Sequence, residues 1–194
     1  MKADAPLGTG AKIGWAAGDF GFNIFWQALN LLMMPFYTDV LGLAPALAGT
    51  VFLVASLWDG FADTIIGAIT DRTRSRWGSY RPYLIFASPV LVIAFVAAFL
   101  TPEAGQTGLF IYALLSQIFL RTSYSLVSIP YSALSARISQ DADERASMAG
   151  WRMVFAFAGG AAVTFAMPRL IAAFGGSGSN ATYVIAAALT GVVS

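Results

Sequence analysis

The 194-residue chain contains no cysteine and no histidine. The first absence excludes disulfides and thiolate metal sites. The second removes Ser-His and Cys-His catalysis, histidine-ligated zinc and histidine proton relays together. Charge is scarce as well: 11% of residues are charged against 58% hydrophobic, and the mean hydropathy is +0.71. That balance excludes a soluble globular domain. No repeat or low-complexity tract is evident, and the apolar stretch after the polar segment Met1–Lys12 is too long for a signal peptide. Neither an enzyme, an organic cofactor nor a nucleic-acid partner is expected.

What is present is apolar length. Long apolar runs occupy 13–37, 44–70, 82–101, 108–135 and 147–174, with a shorter one at 183–194. Crossing a bilayer takes about 20 residues of helix. Five transmembrane helices are therefore predicted, and the sixth run is expected to be a helix on which the sequence stops. The expectation is a single all-α polytopic domain over 1–194, surrounded by lipid bilayer. Basic residues sit in alternate loops: Lys2 and Lys12 before the first helix, Arg72, Arg74, Arg76 and Arg81 after the second, and Arg137 and Arg145 after the fourth. The opposite loops hold Asp39, Glu103 and Arg169. The positive-inside rule then predicts a multi-pass protein of the cell (inner) membrane with a cytoplasmic N-terminus. Gly175–Ser179 reads as a flexible outer turn, and Asn180-Ala181-Thr182 has the form of a glycosylation acceptor, a match that short sequences often produce by chance.

Two acids break the apolar pattern most sharply. Asp59 and Asp63 lie one helical turn apart in a run with no other ionisable residue. A carboxylate in hydrocarbon costs about 2.5–3.5 kcal/mol on insertion scales, and two on one face repel each other, which favours uptake of a proton or metal cation. The pair reads as a cation site inside a membrane, and ion-coupled transport is the first hypothesis. Other helices carry polar stripes. Asp19, Asn23, Gln27 and Asn30 share a face of the first helix, and Gln117, Arg121, Tyr124, Ser125, Ser128 and Ser132 share one on the fourth. Ser56, Asp59, Gly60, Asp63, Gly67 and Thr70 do so on the second. Stripes of this kind face protein or a water-filled cavity, although small and hydroxyl residues also serve as packing surface between helices. Arg152 either snorkels to the interface or points inward. Pro130 leaves the Leu126 carbonyl without its helical donor, which shapes a kink or cavity.

Several motifs in order resemble a known family. They are Tyr37-Thr-Asp-Val-Leu-Gly-Leu43, Gly49-Thr-Val-Phe-Leu-Val-Ala55, Trp58-Asp59-x3-Asp63, Thr73-Arg-Ser-Arg-Trp-Gly78 with Arg81-Pro82-Tyr83, and Tyr124-Ser125 followed by Ile129-Pro130-Tyr131 and Ala133-Leu134. Together they resemble the glycoside–pentoside–hexuronide:cation symporters, the melibiose permease family of the major facilitator superfamily. The resemblance runs from about Gly14 to Arg152. It implies the N-terminal six-helix half of a major facilitator fold, with the sixth helix truncated. It also implies that Asp59, Asp63 and Ser125 hold a coupling cation. Asp19 and Arg152 match acidic and basic sugar-site residues, Tyr124 lies near both sites, and Asp71, Arg72 and Arg76 match the cytoplasmic loop signature. With the stripe residues Asn23, Arg121 and Ser128, the residues Asp19, Tyr124 and Arg152 make up the expected substrate side. The pattern departs from melibiose permease where Ala62, Ser128, Ser132, Gly18 and Arg121 replace asparagine, an acid, tryptophan, lysine and a small residue.

The expected function is symport of a sugar, glycoside or uronide by alternating access, with a proton favoured over sodium as coupling ion because Ala62 removes a neutral oxygen. Sodium at Asp59 and Asp63 stays open. Arg121 leads to an acidic substrate if it faces the cavity, and to a facilitator if it pairs with an acid of the second helix. The partners expected are a small-molecule sugar and a C-terminal half or second copy of the chain. The alternatives are a lipid or lysolipid carrier and an inactive half-transporter fragment or non-transporting membrane module. An aspartyl dyad enzyme would want its acids on different helices, and here the close pair shares one.

Overall fold

A computed structural model describes residues 8–76, 80–138, 141–173, 183–186 and 190, and every regular element among them is helical. The five main helices are α1 (Thr9–Pro35), α2 (Pro45–Arg72), α3 (Arg81–Ala98), α4 (Gln106–Ile138) and α5 (Ala142–Ala173). Residues 183–186 and 190 are helical too, while the outer turn and glycosylation tripeptide read from the sequence lie outside the described residues.

Local chemistry sets the ends. Pro45 and Pro82 stand in the first turns of α2 and α3, where a missing N–H costs nothing and the fixed φ suits a helix. The Asp141 carboxylate accepts from the N–H groups of Asp143 and Glu144 at 2.9 Å each, starting α5 by side-chain capping. That cap places the start of α5 five residues ahead of the apolar run, because hydropathy marks only what lies in lipid and not the polar turn that continues outside it. At the far end of α1, Pro35 is followed by a π-helical turn at Phe36–Val40, which relaxes the ladder where proline withdraws a donor. Gly42 then adopts φ +65°, turning the chain into α2.

By length and composition four helices are apolar enough to cross a membrane: α2, α3, α5 and α4 over Gln106–Leu134. With its 27 residues α1 is also long enough, at about 1.5 Å per residue, but Asp19, Asn23, Gln27 and Asn30 dilute its hydropathy. The bundle is built in pairs: α1 lies along α5, α2 along α4, and α3 against α4. Gly159 makes the first pairing close, since a Cβ there would stand 2.6 Å from the Phe20 carbonyl oxygen. Small residues of this sort let membrane helices approach backbone to backbone. Lys12 and Glu144 form a 3.5 Å ion pair, tying the starts of α1 and α5 at one end. The other end is filled by aromatic rings, with Phe36, Phe99 and Tyr183 in mutual contact at centroid distances of 5.1–6.3 Å.

Candidate functional site

Two carboxylate–guanidinium pairs lie deep in the bundle. Asp19 is ten residues into α1 and Arg152 ten residues into α5, about 15 Å along each parallel helix. Arg152 Nε donates to Asp19 Oδ2 at 2.6 Å and Nη2 donates to Oδ1 at 3.0 Å. This is the two-pronged geometry that a guanidinium makes with a carboxylate. It decides the orientation left open by the sequence: Arg152 points inward. Tyr131 from α4 completes the cluster, its hydroxyl lying 3.0 Å from Asp19 Oδ2 and 2.7 Å from the Trp15 carbonyl oxygen. The Tyr131 ring stacks on Trp15 at 4.4 Å and lies 5.5 Å below the Arg152 guanidinium. Gly18 makes room for that ring, since a Cβ would meet the Tyr131 hydroxyl at 2.7 Å. Asn23 lies one turn on, its amide donating to the Asp19 carbonyl at 2.9 Å.

The second pair joins α2 to α4. Asp59 and Arg121 sit fourteen and fifteen residues into helices that run the same way, so they meet at one depth. Arg121 Nη1 donates to Asp59 Oδ2 at 2.9 Å, and the Ser125 hydroxyl reaches Asp59 Oδ1 at 3.5 Å. The guanidinium lies 5.6 Å over the Trp26 ring, a favourable cation–π placement. Trp58 Nε1 donates to Thr122 Oγ1 at 2.9 Å, a further tie between the same helices. Asp63 lies one turn on, exposed, with no hydrogen bond or ion pair among the described residues.

A row of rings connects the pairs. Tyr131 touches Phe22 at 4.8 Å, Phe22 touches Tyr124 at 6.0 Å, and Tyr124 touches Trp26 at 5.3 Å beneath Arg121. Tyr124 thus sits between the two sites. The structure brings Asp19, Asn23 and Arg152 together, and separately Asp59, Arg121 and Ser125. Arg121, grouped with the substrate residues in the sequence, stands beside the α2 acid. Ser128 is half-buried on α4 between the Ser125 and Tyr131 levels. In the last turn of α2, Asp71 accepts from the Tyr80 hydroxyl at 3.0 Å and Arg72 is exposed, as is Arg76 in the link that follows.

Sequence reasoning did not single out Trp15 or Tyr131 as site residues. Tyr131 falls six residues after Ser125, close to the polar stripe of α4, and follows a helix-interior proline. That position was the available signal. Its partner Asp19 is 112 residues away, which no local period encodes.

Polar clusters at mid-depth in bilayer-length helices define a polytopic membrane protein with an internal polar site. Residues 14–193 match the family described as MFS/sugar transport protein, and the chain belongs to that family. The family resemblance seen in the Trp58–Asp63 and Tyr37–Leu43 motifs is therefore confirmed. The chain is 40% identical to the uncharacterized symporter YnaJ of Bacillus subtilis over 169 residues, 87% of this chain and 36% of that protein. It is 40% identical to the inner membrane symporter YicJ of Escherichia coli over 176 residues, 91% of this chain and 38% of that protein. With the isoprimeverose transporter of Lactiplantibacillus pentosus it shares 32% identity over 174 residues, 89% of this chain and 36% of that protein. The chain thus spans under two-fifths of the length of these curated relatives.

Proposed function

We propose that the chain supplies the N-terminal half of a secondary transporter that moves a sugar or glycoside with a coupling cation, a proton in preference to sodium, by alternating access. The carrying observation is how the two ion pairs present themselves. In the α1–α5 pair the guanidinium is the more open partner, with 28% of the Arg152 side chain exposed against 11% of Asp19. In the α2–α4 pair the carboxylate is the more open one, 22% for Asp59 against 7% for Arg121. The first offers donors to hydroxyl oxygens, and the second presents an acidic face to a cation, where exposed Asp63 stands one turn from the paired Asp59.

Sugar hydroxyls compete for the same hydrogen bonds that Arg152, Asp19 and Tyr131 make with one another, so binding can reorganise the cluster without leaving a charge bare. Because Arg121 is engaged by Asp59, it is not free to receive a substrate carboxylate, which favours a neutral sugar over a uronide; the same pairing is the one expected of a facilitator, and symport is kept because exposed Asp63 is left for a coupling ion. The names of the relatives support sugar symport in general and not the choice of sugar: two are symporters, one is an isoprimeverose transporter and one a glucuronide carrier protein homolog. Major facilitator substrates bind between two six-helix halves, so the partner required is a C-terminal half or a second copy. The N-terminus and the Arg72–Arg81 link are assigned to the cytoplasmic side of the inner membrane.

Uptake of labelled sugars into vesicles under imposed proton and sodium gradients tests the reading. Accumulation driven by the proton gradient is expected. Flux indifferent to every gradient would contradict symport.

A further inference from the structure

The geometry points to Arg121 as the built-in counter-ion of Asp59, standing where a monovalent metal cation would otherwise neutralise that carboxylate and so closing the α2 site to sodium. This rests on the reading of α2 as the cation site and names the residue that selects the ion there.

Four observations carry it. The Arg121 guanidinium occupies one Asp59 oxygen directly at 2.9 Å. Its side chain is the most buried of the ion-pair partners, at 7% exposure, and its Nε has no hydrogen-bond partner among the described residues. The hydrogen bond that Arg121 makes among the described residues is the charge-assisted one to Asp59, so the ion pair is what ties this buried guanidinium to α2. The face of Trp26 supports the cation from the α1 side at 5.6 Å. Finally, the oxygens left for a metal are few. Ser125 is at 3.5 Å, and Ala62, buried beside Asp63, contributes only a methyl group.

A sodium ion approaching Asp59 would meet a fixed positive charge across a poorly screened gap. Moving the guanidinium aside would strand it in a buried position with no second acid described beside it. The two acids are therefore unequal. Asp59 is neutralised from within, and Asp63 is the carboxylate left to exchange a coupling ion with solvent. Without the guanidinium, Asp59 regains both oxygens, with Ser125 facing it and Asp63 one turn along.

Intrinsic tryptophan fluorescence suits the test, because Trp26 lies against the Arg121 guanidinium and Trp58 precedes Asp59. Purified full-length protein is titrated with sodium chloride against choline chloride at constant ionic strength. The wild type and Arg121→Lys are expected to give the same trace in both salts. Arg121→Gly and Arg121→Ser are expected to show a saturable, sodium-specific shift that disappears when Asp59→Asn is added. A sodium-specific saturable shift in the wild type overturns the assignment by itself, with no need for any variant to fold. Sodium-blind traces from both small variants, at wild-type helical content by circular dichroism, overturn it as well. Sugar flux through the wild type judges the transport reading separately: its absence would sink that reading, and the titration would still decide this one.

Discussion

The α1–α5 and α2–α4 ion pairs use the same two side-chain types at similar depth and are built differently. Asp19 takes two prongs from Arg152 and a hydroxyl from Tyr131. Asp59 takes one prong from Arg121 and a long contact from Ser125. The richer cluster is the one whose cation is open, and the poorer cluster is the one whose anion is open. A site for polyhydroxylated solutes needs many directional donors and acceptors that can be traded one for another. A site for a cation needs accessible negative charge and little else. On the proposed reading the difference separates duties within one bundle, and the aromatic row from Tyr131 to Trp26 makes the two clusters physically contiguous.

The comparison breaks most severely at Arg152. Arg152→Ala removes two charge-assisted bonds and leaves Asp19 without its cation. Sugar binding is expected to fall by at least about a hundredfold, from about 1.5–3 kcal/mol per such bond, measured by equilibrium binding. Arg152→Lys should restore little, because an ammonium cannot reproduce the fork. Next in size is Asp59→Asn, which strands the buried Arg121 guanidinium. A stability loss of about 3 kcal/mol is expected from breaking a buried pair, read as a lower Tm. The double variant Asp59→Asn with Arg121→Gln should recover much of it, and equal Tm for single and double variants would show that the pair is not energetically coupled.

Smaller effects sharpen the contrast. Gly18→Ala forces the Tyr131 ring off its seat on Trp15, and overpacking of this kind costs about 1–3 kcal/mol. The apparent sugar affinity should weaken while the response to the cation gradient is kept. Tyr131→Phe removes a single hydroxyl shared between Asp19 and the Trp15 carbonyl. A loss of about 1 kcal/mol, or about fivefold in apparent affinity, is expected, seen in KM for uptake.

The sequence carried the polar positions well and their pairings poorly. A 3.6-residue period fixes which side chains share a face, so Asp19, Asn23, Asp59, Asp63, Arg121, Tyr124 and Ser125 were all legible. Depth followed from counting along each helix. Which acid meets which base depends on how α1 settles on α5 and α2 on α4. That is set by small residues such as Gly159 and by shape across gaps of 62 to 133 residues. The start of α5 and the π turn after Pro35 were missed for a related reason: a capping aspartate and a displaced hydrogen bond leave no mark in hydropathy. Gly18 shows the limit most clearly. In the sequence it is a missing lysine, and in the fold it is the space into which Tyr131 fits.

The division of labour is tested most directly by measuring substrate counterflow and gradient-driven accumulation side by side in vesicles carrying the full-length protein. Asp63→Asn is expected to keep exchange of labelled for unlabelled sugar and to lose accumulation against a gradient, whereas Arg152→Ala loses both. Loss of counterflow in Asp63→Asn, or accumulation that survives it, would contradict the assignment of sugar to α1–α5 and the coupling cation to α2.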